Sequence, residues 1–584
     1  MAMKEELIKN AYSEAITAHR SPDKPFLKKS STGSSEVIFS FRGSWAVKDW
    51  YSDKSQRPFG EKKINLKLFP SLRSIGNEEA ADVNQAFEER FQLILENPKL
   101  KDKVQKAAKD KKQVVFTGHS SGGPIAILAT IWFLEEHRKG NIIFSTLPLC
   151  LTFGSPLVGS HIFSHALRRE NWSGNFIHFV SKYDLIPRVF LASLSANKQK
   201  FEKILNFLSQ RSKQVPLHLA QDAQDIFTEV MTNALTLTSH VACKLMESTN
   251  LLLETVTNFI ELSPYRPFGT YVFLNVGGNP VTSDNFNAVL QLLFYSCQPS
   301  SDDEVLEIAK RSLGDHHGYE SELPNSFRGH NYSSDKSYAY EIDMLNKAAD
   351  AFGLSTSGRL CLLVAGESEE QKKRNQEKVK SKVTDMERAL KEIEHYKNVC
   401  ELEKVGLYDS FKLQKDQKDF KANVKRLELT GIWDEIIELL KGYKLPDEFE
   451  GQRQWIDLGT QYRRLVEPLD IANYYRHLKN EDTGPYMTKG RPRRYRYQQQ
   501  WREHEKKMEK GSSGESCFWA DVEELFCQGN EKDVAKKIQK QVLQWEKEGE
   551  IGNDVFLHNS TFVQWWNSLD SEIKLNDIQP LIHG

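Results

Sequence analysis

Residues 118 to 122 read Gly-His-Ser-Ser-Gly, and their setting gives the pattern chemical meaning. Val114, Val115 and Phe116 precede it as a β-branched and aromatic run. Ile125, Ala126, Ile127, Leu128, Ala129, Ile131, Trp132 and Leu134 follow as a helix-like apolar run. Strand, tight turn and helix is the context in which Gly-x-Ser-x-Gly becomes a nucleophile elbow. Small residues let the chain reverse sharply and lift the serine hydroxyl, here Ser120, above the sheet edge. The backbone N–H of Ser121 then opens a helix, where negative charge is favoured, and is a candidate oxyanion donor. A plain Gly-rich turn is the alternative, and both flanks weigh against it.

Such a serine needs a general base and an acid to orient it, in the chain order Ser, Asp, His. A strand-like run at 176 to 180 is followed by Ser181-Lys182-Tyr183-Asp184-Leu185. Asp184 therefore stands where a strand passes into a loop, the place for the acid; a turn or capping aspartate is its ordinary reading. Asp315-His316-His317-Gly318-Tyr319 supplies the histidine. His316, with a tyrosine three residues on, is the choice, and His317 stays open as the competitor. The Arg42-Gly43-Ser44 turn after the first strand offers a second oxyanion donor in the Ser44 amide.

These groups need a scaffold. Residues 37 to 41 (Val-Ile-Phe-Ser-Phe) and 149 to 153 (Leu-Cys-Leu-Thr-Phe) read as further strands, and Val83, Phe87, Phe91, Leu93 and Ile94 recur at helical spacing across 82 to 97. Alternating strands and helices predict a largely parallel sheet covered by helices.

The 584 residues are too many for one core, so two or three domains are expected. Lys+Arg 79 balances Asp+Glu 80, so no global charge drives the chain to nucleic acid or membrane. The seven cysteines (150, 243, 297, 361, 400, 517 and 527) form no Cys-x-x-Cys pair. That argues against a disulfide framework or a zinc ribbon and fits a reducing compartment. The first residues lack a secretory apolar core, and no apolar run reaches the ~18 residues of a membrane span. The expectation is a soluble intracellular protein with no metal, no cofactor and no transmembrane segment.

A helical insert is expected near 200 to 262, between acid and histidine. Within it Leu252, Val256, Phe259 and Ile260 fall on one helix face. That stripe is either core-facing or a projecting surface for a partner's groove. Residues 366 to 380 are almost entirely charged or polar and read as a linker. From the end of that stretch Val379, Val383, Met386, Leu390 and Ile393 form a short heptad-like stripe, and 433 to 440, 454 to 479, 532 to 547 and 561 to 568 look helical. The second domain should be an all-α bundle, with a mobile Gly/Ser loop at 503 to 516. The expected division is 1–365 and 366–584.

The densest chemistry of the second half lies between 470 and 497. Five of the eight residues from 489 to 496 are basic, with Tyr495 among them and Tyr497 beyond. Three readings stand: a solvated charge run, a nuclear-import or minor-groove element, or a phosphate pocket. Arginine forks bind phosphate bidentately, and tyrosines stack on bases. A turn through Gly484-Pro485 would bring His477 and Lys479 opposite Arg494.

Two resemblances follow from these motifs. Phe41-Arg42-Gly43, Gly118-His119-Ser120-Ser121-Gly122-Gly123, Thr152-Phe153-Gly154-Ser155-Pro156-Leu157-Val158-Gly159 and Asp315-His316-His317-Gly318-Tyr319 resemble the class 3 lipases, a subfamily of α/β-hydrolases, over about residues 1 to 360. Such lipases usually carry a larger apolar residue at Ser121 and alanine at Pro124. The stretch from Leu465 through Pro468, Asn473, Tyr474 and Tyr475 to Arg476, the 477–495 segment, and Phe420-Lys421-Ala422-Asn423-Val424-Lys425-Arg426 resemble the C-terminal domain of the plant Enhanced Disease Susceptibility family. A lipase-like domain fused to that domain is the family's signature, and the likeness is greatest to the branch with an intact triad.

The resemblance implies an α/β-hydrolase domain followed by an α-helical signalling domain, acting as an immune hub in nucleus and cytoplasm. It implies heterodimerisation with a sister lipase-like protein through the face of Leu252, Val256, Phe259 and Ile260. The paired C-terminal domains would enclose a cavity for a ribosylated adenine-nucleotide messenger made by TIR-domain enzymes, and the occupied dimer would recruit helper immune receptors. The family's ligand positions fall on Phe420, Tyr474, His477, Lys479 and Arg494. Hydrolysis by Ser120, Asp184 and His316 is not expected to be needed. An active ester hydrolase is the alternative, and nucleic-acid binding through Arg491 and Arg493 the least favoured reading.

Overall fold

A computed structural model of the chain describes residues 5–21, 23–30, 34–210, 215–248, 255, 261–275, 280–326, 338–529 and 531–582. They divide into two units. One holds the described residues up to Ser74 and from Glu79 to Gln371. The other holds Ile75–Glu78 and the described residues from Lys372 onward. The boundary thus falls a few residues beyond the expected 365/366, and four residues of the first half belong with the second.

The first unit is built on nine strands among the described residues: β1 (Phe26–Lys29), β2 (Glu36–Phe41), β3 (Glu61–Lys63), β4 (Asp82–Asn84), β5 (Gln113–His119), β6 (Leu149–Phe153), β7 (Phe176–Ser181), β8 (Thr270–Leu274) and β9 (Val281–Ser283). Seven form one sheet in the order β1-β2-β5-β6-β7-β8-β9, and β3 pairs with β4. The pairs from β2 to β8 are parallel; β1 and β9 are antiparallel edges.

Alternation along β5 shows why Val114, Val115 and Phe116 are all apolar. Val114 and Phe116 join the large core under helix Gly122–Arg138, while Val115 joins a smaller core with Ile8, Ala11, Tyr12 and Ala15 of helix Glu5–His19. Successive side chains point to opposite faces, so a sheet covered on both sides needs a continuous apolar run. The expected helix over 82 to 97 starts later than its periodicity implied. Val83 lies in β4, and Asn84 caps helix Gln85–Glu96 by accepting from the Phe87 N–H.

The insert between β7 and β8 contains helices Lys198–Gln210 and Leu217–Leu245, with Phe201, Ile204, Leu205, Ile226 and Val230 buried in the main core. Leu252, Val256, Phe259 and Ile260 lie outside the described residues.

The second unit is helical. Its longer helices are Val383–Leu402, Gln417–Lys441, Arg453–Arg476, Arg493–Lys506, Phe518–Gln528 and Lys532–Lys547. Met386, Leu390 and Ile393 of the heptad-like stripe are buried in its core with Trp433, Tyr462 and Trp501. Two expectations need correction. Residues 366 to 380 are not an extended linker but part of helix Thr356–Ser381; a high charge content is compatible with a helix whose exposed positions outnumber its buried ones.

Nor is the whole 503–516 segment loose. Residues 503 to 506 complete a helix, and Ser513, Glu515 and Ser516 are buried. Arg463 donates to the Ser513 carbonyl oxygen at 2.8 Å and to Glu515 at 2.7 Å, Arg502 reaches Glu515 at 2.7 Å, and Glu503 accepts from the Gly511 and Ser513 amides at 3.1 Å. Glycine and serine content describes an isolated segment; here arginines on two neighbouring helices hold it. Among the described residues no helix is long and apolar enough to cross a membrane.

Candidate functional site

Ser120 sits between β5 and helix Gly122–Arg138 with φ of 54°. That left-handed conformation is strained for a serine and is what an elbow requires. The flanking glycines permit it: a Cβ at Gly118 would lie 2.2 Å from the Gly122 carbonyl oxygen, and one at Gly122 would lie 2.4 Å from that of Phe41.

The loop after β7 carries Asp184, and His316 caps the C-terminal end of helix Asp302–Asp315. His316 Nδ1 is 3.0 Å from each Asp184 oxygen. Asp184 also accepts from the Tyr319 hydroxyl at 2.7 Å and the Ile186 amide at 2.9 Å. These bonds fix the carboxylate so that the ring presents Nε2 away from it, the orientation a general base needs. His317 points elsewhere, with its Nε2 2.9 Å from the Leu208 carbonyl in the insert. Tyr319, three residues beyond His316, is a positioning donor that also accepts from the Ser181 amide at 3.0 Å.

The triad is enclosed. Ser120, Asp184 and His316 are each 0% exposed. Neither Ser120 Oγ nor His316 Nε2 has a hydrogen-bond partner among the described residues, so the serine–imidazole bond is not made in this conformation. His119, within the motif, lies beside His316 with ring centroids 4.5 Å apart. Burial, and then the neighbouring His316, His19 and His317, hold its pKa well below the usual histidine range. It is therefore neutral, and its Nε2 donates to the His316 carbonyl at 2.9 Å. Trp45 stacks on His19 at 5.2 Å and meets His316 edge-on at 6.2 Å.

The two expected oxyanion donors fare differently. Ser121 opens helix Gly122–Arg138 as anticipated. The Ser44 amide, however, donates to the Ser121 hydroxyl at 2.7 Å, and that hydroxyl donates back to the Ser44 carbonyl at 2.9 Å. The Ser44 assignment is corrected accordingly: its N–H is spent within the protein. Sequence inspection missed this because the two residues lie 77 positions apart.

In the second unit Phe420 is 67% exposed, and His477 and Lys479 are exposed. Tyr474 is buried, its hydroxyl donating to the Gly484 carbonyl at 2.7 Å and its ring meeting Tyr486 edge-on at 5.3 Å. It props the turn between helices Arg453–Arg476 and Arg493–Lys506. Arg494 donates to Asp434 at 3.1 Å and to Asp470 Oδ2 at 2.7 Å, and its guanidinium lies 4.9 Å from the Tyr495 ring centre. Asp470 also accepts from the Tyr495 hydroxyl at 2.7 Å and pairs with Arg426.

Among the described residues no hydrogen bond or ring contact joins any two of these five positions. The helix ends at Arg476, and Leu478 turns through a left-handed φ of 52°. His477 and Lys479 are therefore turned outward, while Arg494 is held by carboxylates of other helices.

The basic run is not a continuous positive face. Arg491 is buried, donating to Glu467 at 2.7 and 3.1 Å and to Gln499 at 2.7 Å. Lys489, Arg493 and Arg496 remain exposed. Arg493 and Arg494 open a helix at its positive end, where cations are unfavourable and anions are favoured. Asp434 and Asp470 supply that negative charge from neighbouring helices.

The two halves find matching relatives. Residues 38–194 match the class 3 lipases, and residues 391–583 match the enhanced disease susceptibility 1 protein EP domain. Protein EDS1B of Arabidopsis thaliana is 41% identical over 583 residues, spanning 92% of this chain and 91% of its own length. Lipase-like PAD4 of the same plant is 26% identical over 530 residues, spanning 85% of this chain and 82% of its own. Senescence-associated carboxylesterase 101, also from Arabidopsis thaliana, is 24% identical over 510 residues, spanning 80% and 71%. An α/β-hydrolase unit joined to a helical EP domain, with this identity along nearly its whole length, makes the chain a member of the enhanced disease susceptibility 1 family, and that membership implies a role in plant immunity.

Proposed function

We propose that the protein is an immune signalling receptor rather than a hydrolase. It pairs with a sister lipase-like protein of the kind represented by Lipase-like PAD4 and Senescence-associated carboxylesterase 101. The pair receives a ribosylated adenine-nucleotide messenger between the two C-terminal units and then engages helper immune receptors, in nucleus and cytoplasm. The single observation that carries the reading is accessibility. Ser120 and His316 are enclosed, and Ser120 Oγ and His316 Nε2 have no hydrogen-bond partner among the described residues, while Phe420, His477 and Lys479 face solvent. Arg494 is prepared for an anion: it opens a helix N-terminus, and its carboxylate partner Asp434 is half exposed and displaceable, with a side chain 53% exposed. A phosphate would exchange for that carboxylate on the same guanidinium fork.

The test is complementation of immune cell death in plants lacking the native protein and supplied with its sister protein. Ser120→Ala should restore the response and Arg494→Ala should not. A normal response from Arg494→Ala removes the pocket assignment.

One observation favours a second reading. The Asp184–His316 geometry is that of an intact triad, so an ester hydrolase is the competing function. Ester turnover that disappears with Ser120→Ala would establish it; turnover no faster than that variant's removes it.

A further inference from the structure

We propose that the Ser121 hydroxyl acts as an internal plug of the oxyanion site and slows attack by Ser120 on acyl and phosphonyl electrophiles. The plug rests on the reading of the first unit as a non-hydrolase and needs nothing from the messenger site of the second. The turn after β2 is locked around Ser44. Its N–H donates to Ser121 Oγ at 2.7 Å, and its carbonyl accepts from Ser121 Oγ at 2.9 Å and from the Trp50 indole at 2.8 Å. Its own hydroxyl pairs with Asp49. Arg90, half-buried, donates to the Arg42 carbonyl at 2.9 Å and the Ser121 carbonyl at 3.4 Å, tying the turn to the elbow. Burial lowers the pKa of Arg90 to about 10, which leaves it charged at neutral pH.

A tetrahedral oxyanion on Ser120 would ask for two amides, those of Ser121 and Ser44. The Ser121 side chain reaches only the second, and it offers that amide a neutral oxygen in place of the developing charge. An apolar residue at this position has no oxygen to place there. A serine that merely satisfies a buried loop has the same bonds, but the two roles predict opposite effects of removing the hydroxyl: greater reactivity in one case, unchanged or lower reactivity in the other.

The experiment is labelling of the full chain by an alkyl fluorophosphonate. In that reaction a bond forms between Ser120 Oγ and phosphorus and the phosphorus–fluorine bond breaks. Fluoride leaves, the hydroxyl proton passes to His316 Nε2, and the phosphoryl oxygen takes the oxyanion position. Access is equalised by comparing variants in a Trp45→Ala background, which removes the indole beside His316.

Adding Ser121→Ala or Ser121→Val should speed labelling about 100-fold, the effect of one oxyanion donor. Ser121→Thr, which keeps the hydroxyl, should stay at the slow rate, and Ser120→Ala should abolish labelling in every background. Alanine and valine give two hydroxyl-free forms, and a melting curve identifies which is folded. A folded hydroxyl-free form that labels no faster than the Trp45→Ala parent overturns the proposal. So does a threonine form that labels as fast as the valine form.

Discussion

Replacing Arg494 by alanine tests whether the guanidinium is a structural brace as well as an anion site. Asp470 is almost enclosed, with a side chain 9% exposed, and it accepts from Arg494, Arg426 and Tyr495. Removing Arg494 leaves it two of three donors, so the cost is that of one hydrogen bond to a charged group, about 1.5–3 kcal/mol. Asp434 is half exposed, and its loss adds at most about 1 kcal/mol. The sum, about 1.5–4 kcal/mol, falls on helix Arg493–Lys506 and should be read there rather than from a global melt, since a chain of two compact units need not melt in one two-state step.

Amide hydrogen exchange along that helix should accelerate roughly 10–700-fold in Arg494→Ala, because each 1.4 kcal/mol is about a factor of ten. A cycle with Asp470→Asn should show coupling above about 1 kcal/mol. Coupling under about 0.5 kcal/mol, with exchange unchanged, would refute the brace. It would also mean that any loss of signalling in Arg494→Ala comes from the site alone.

Three further outcomes are expected. Glu135 is wholly buried; burial raises its pKa to about 7, while the Ser71 amide donates to one of its oxygens at 2.8 Å. The folded chain therefore holds a proton that the unfolded chain releases near the ordinary glutamate value. Stability falls as pH rises through that interval, by up to about 3 kcal/mol. Glu135→Gln should flatten thermal stability of the first unit between pH 5 and 7.5, and an unchanged slope would refute the assignment.

Glu515 is buried, which alone would raise its pKa, but Arg463, Arg502 and Arg464 outweigh burial and hold it down to about 2. Its contribution is present above the ordinary glutamate value and is lost as pH falls from about 4.5 toward 2. Glu515→Ala leaves the buried Arg463 without its carboxylate, at about 3–5 kcal/mol, while Arg464 and Arg502 keep Glu550, and should open the segment after residue 506 to trypsin at neutral pH. Resistance equal to the parent's counts against it. Ser120→Ala should leave the fold and the immune response unchanged, checked by melting temperature and complementation, since its hydroxyl has no hydrogen-bond partner among the described residues.

The elbow, the strand and helix that flank it, and the order Ser120, Asp184, His316 were legible in the chain because each depends on neighbours within a few residues: small residues for the turn, apolar runs for the sheet, strand ends for the loop. The family was legible for a related reason, since both of its motif sets are contiguous stretches. What the chain alone could not decide was how distant groups would pair. His316 and His317 are adjacent and chemically alike, and only the positions of Asp184 and the Leu208 carbonyl distinguish them. The Ser44 amide looks available in its own turn and is claimed by a hydroxyl 77 residues away.

The 489–496 run looks uniformly basic, yet Arg491 is matched to Glu467 and Arg494 to Asp434 and Asp470, carboxylates on other helices. The charged 366–380 stretch is helical and the Gly/Ser segment near 511 is pinned by arginines for the same reason: composition reports what a segment prefers in water, not what packs against it. Local geometry is encoded where it is read; hydrogen-bond and charge partners belong to whatever the fold packs alongside, and only the tertiary structure names them.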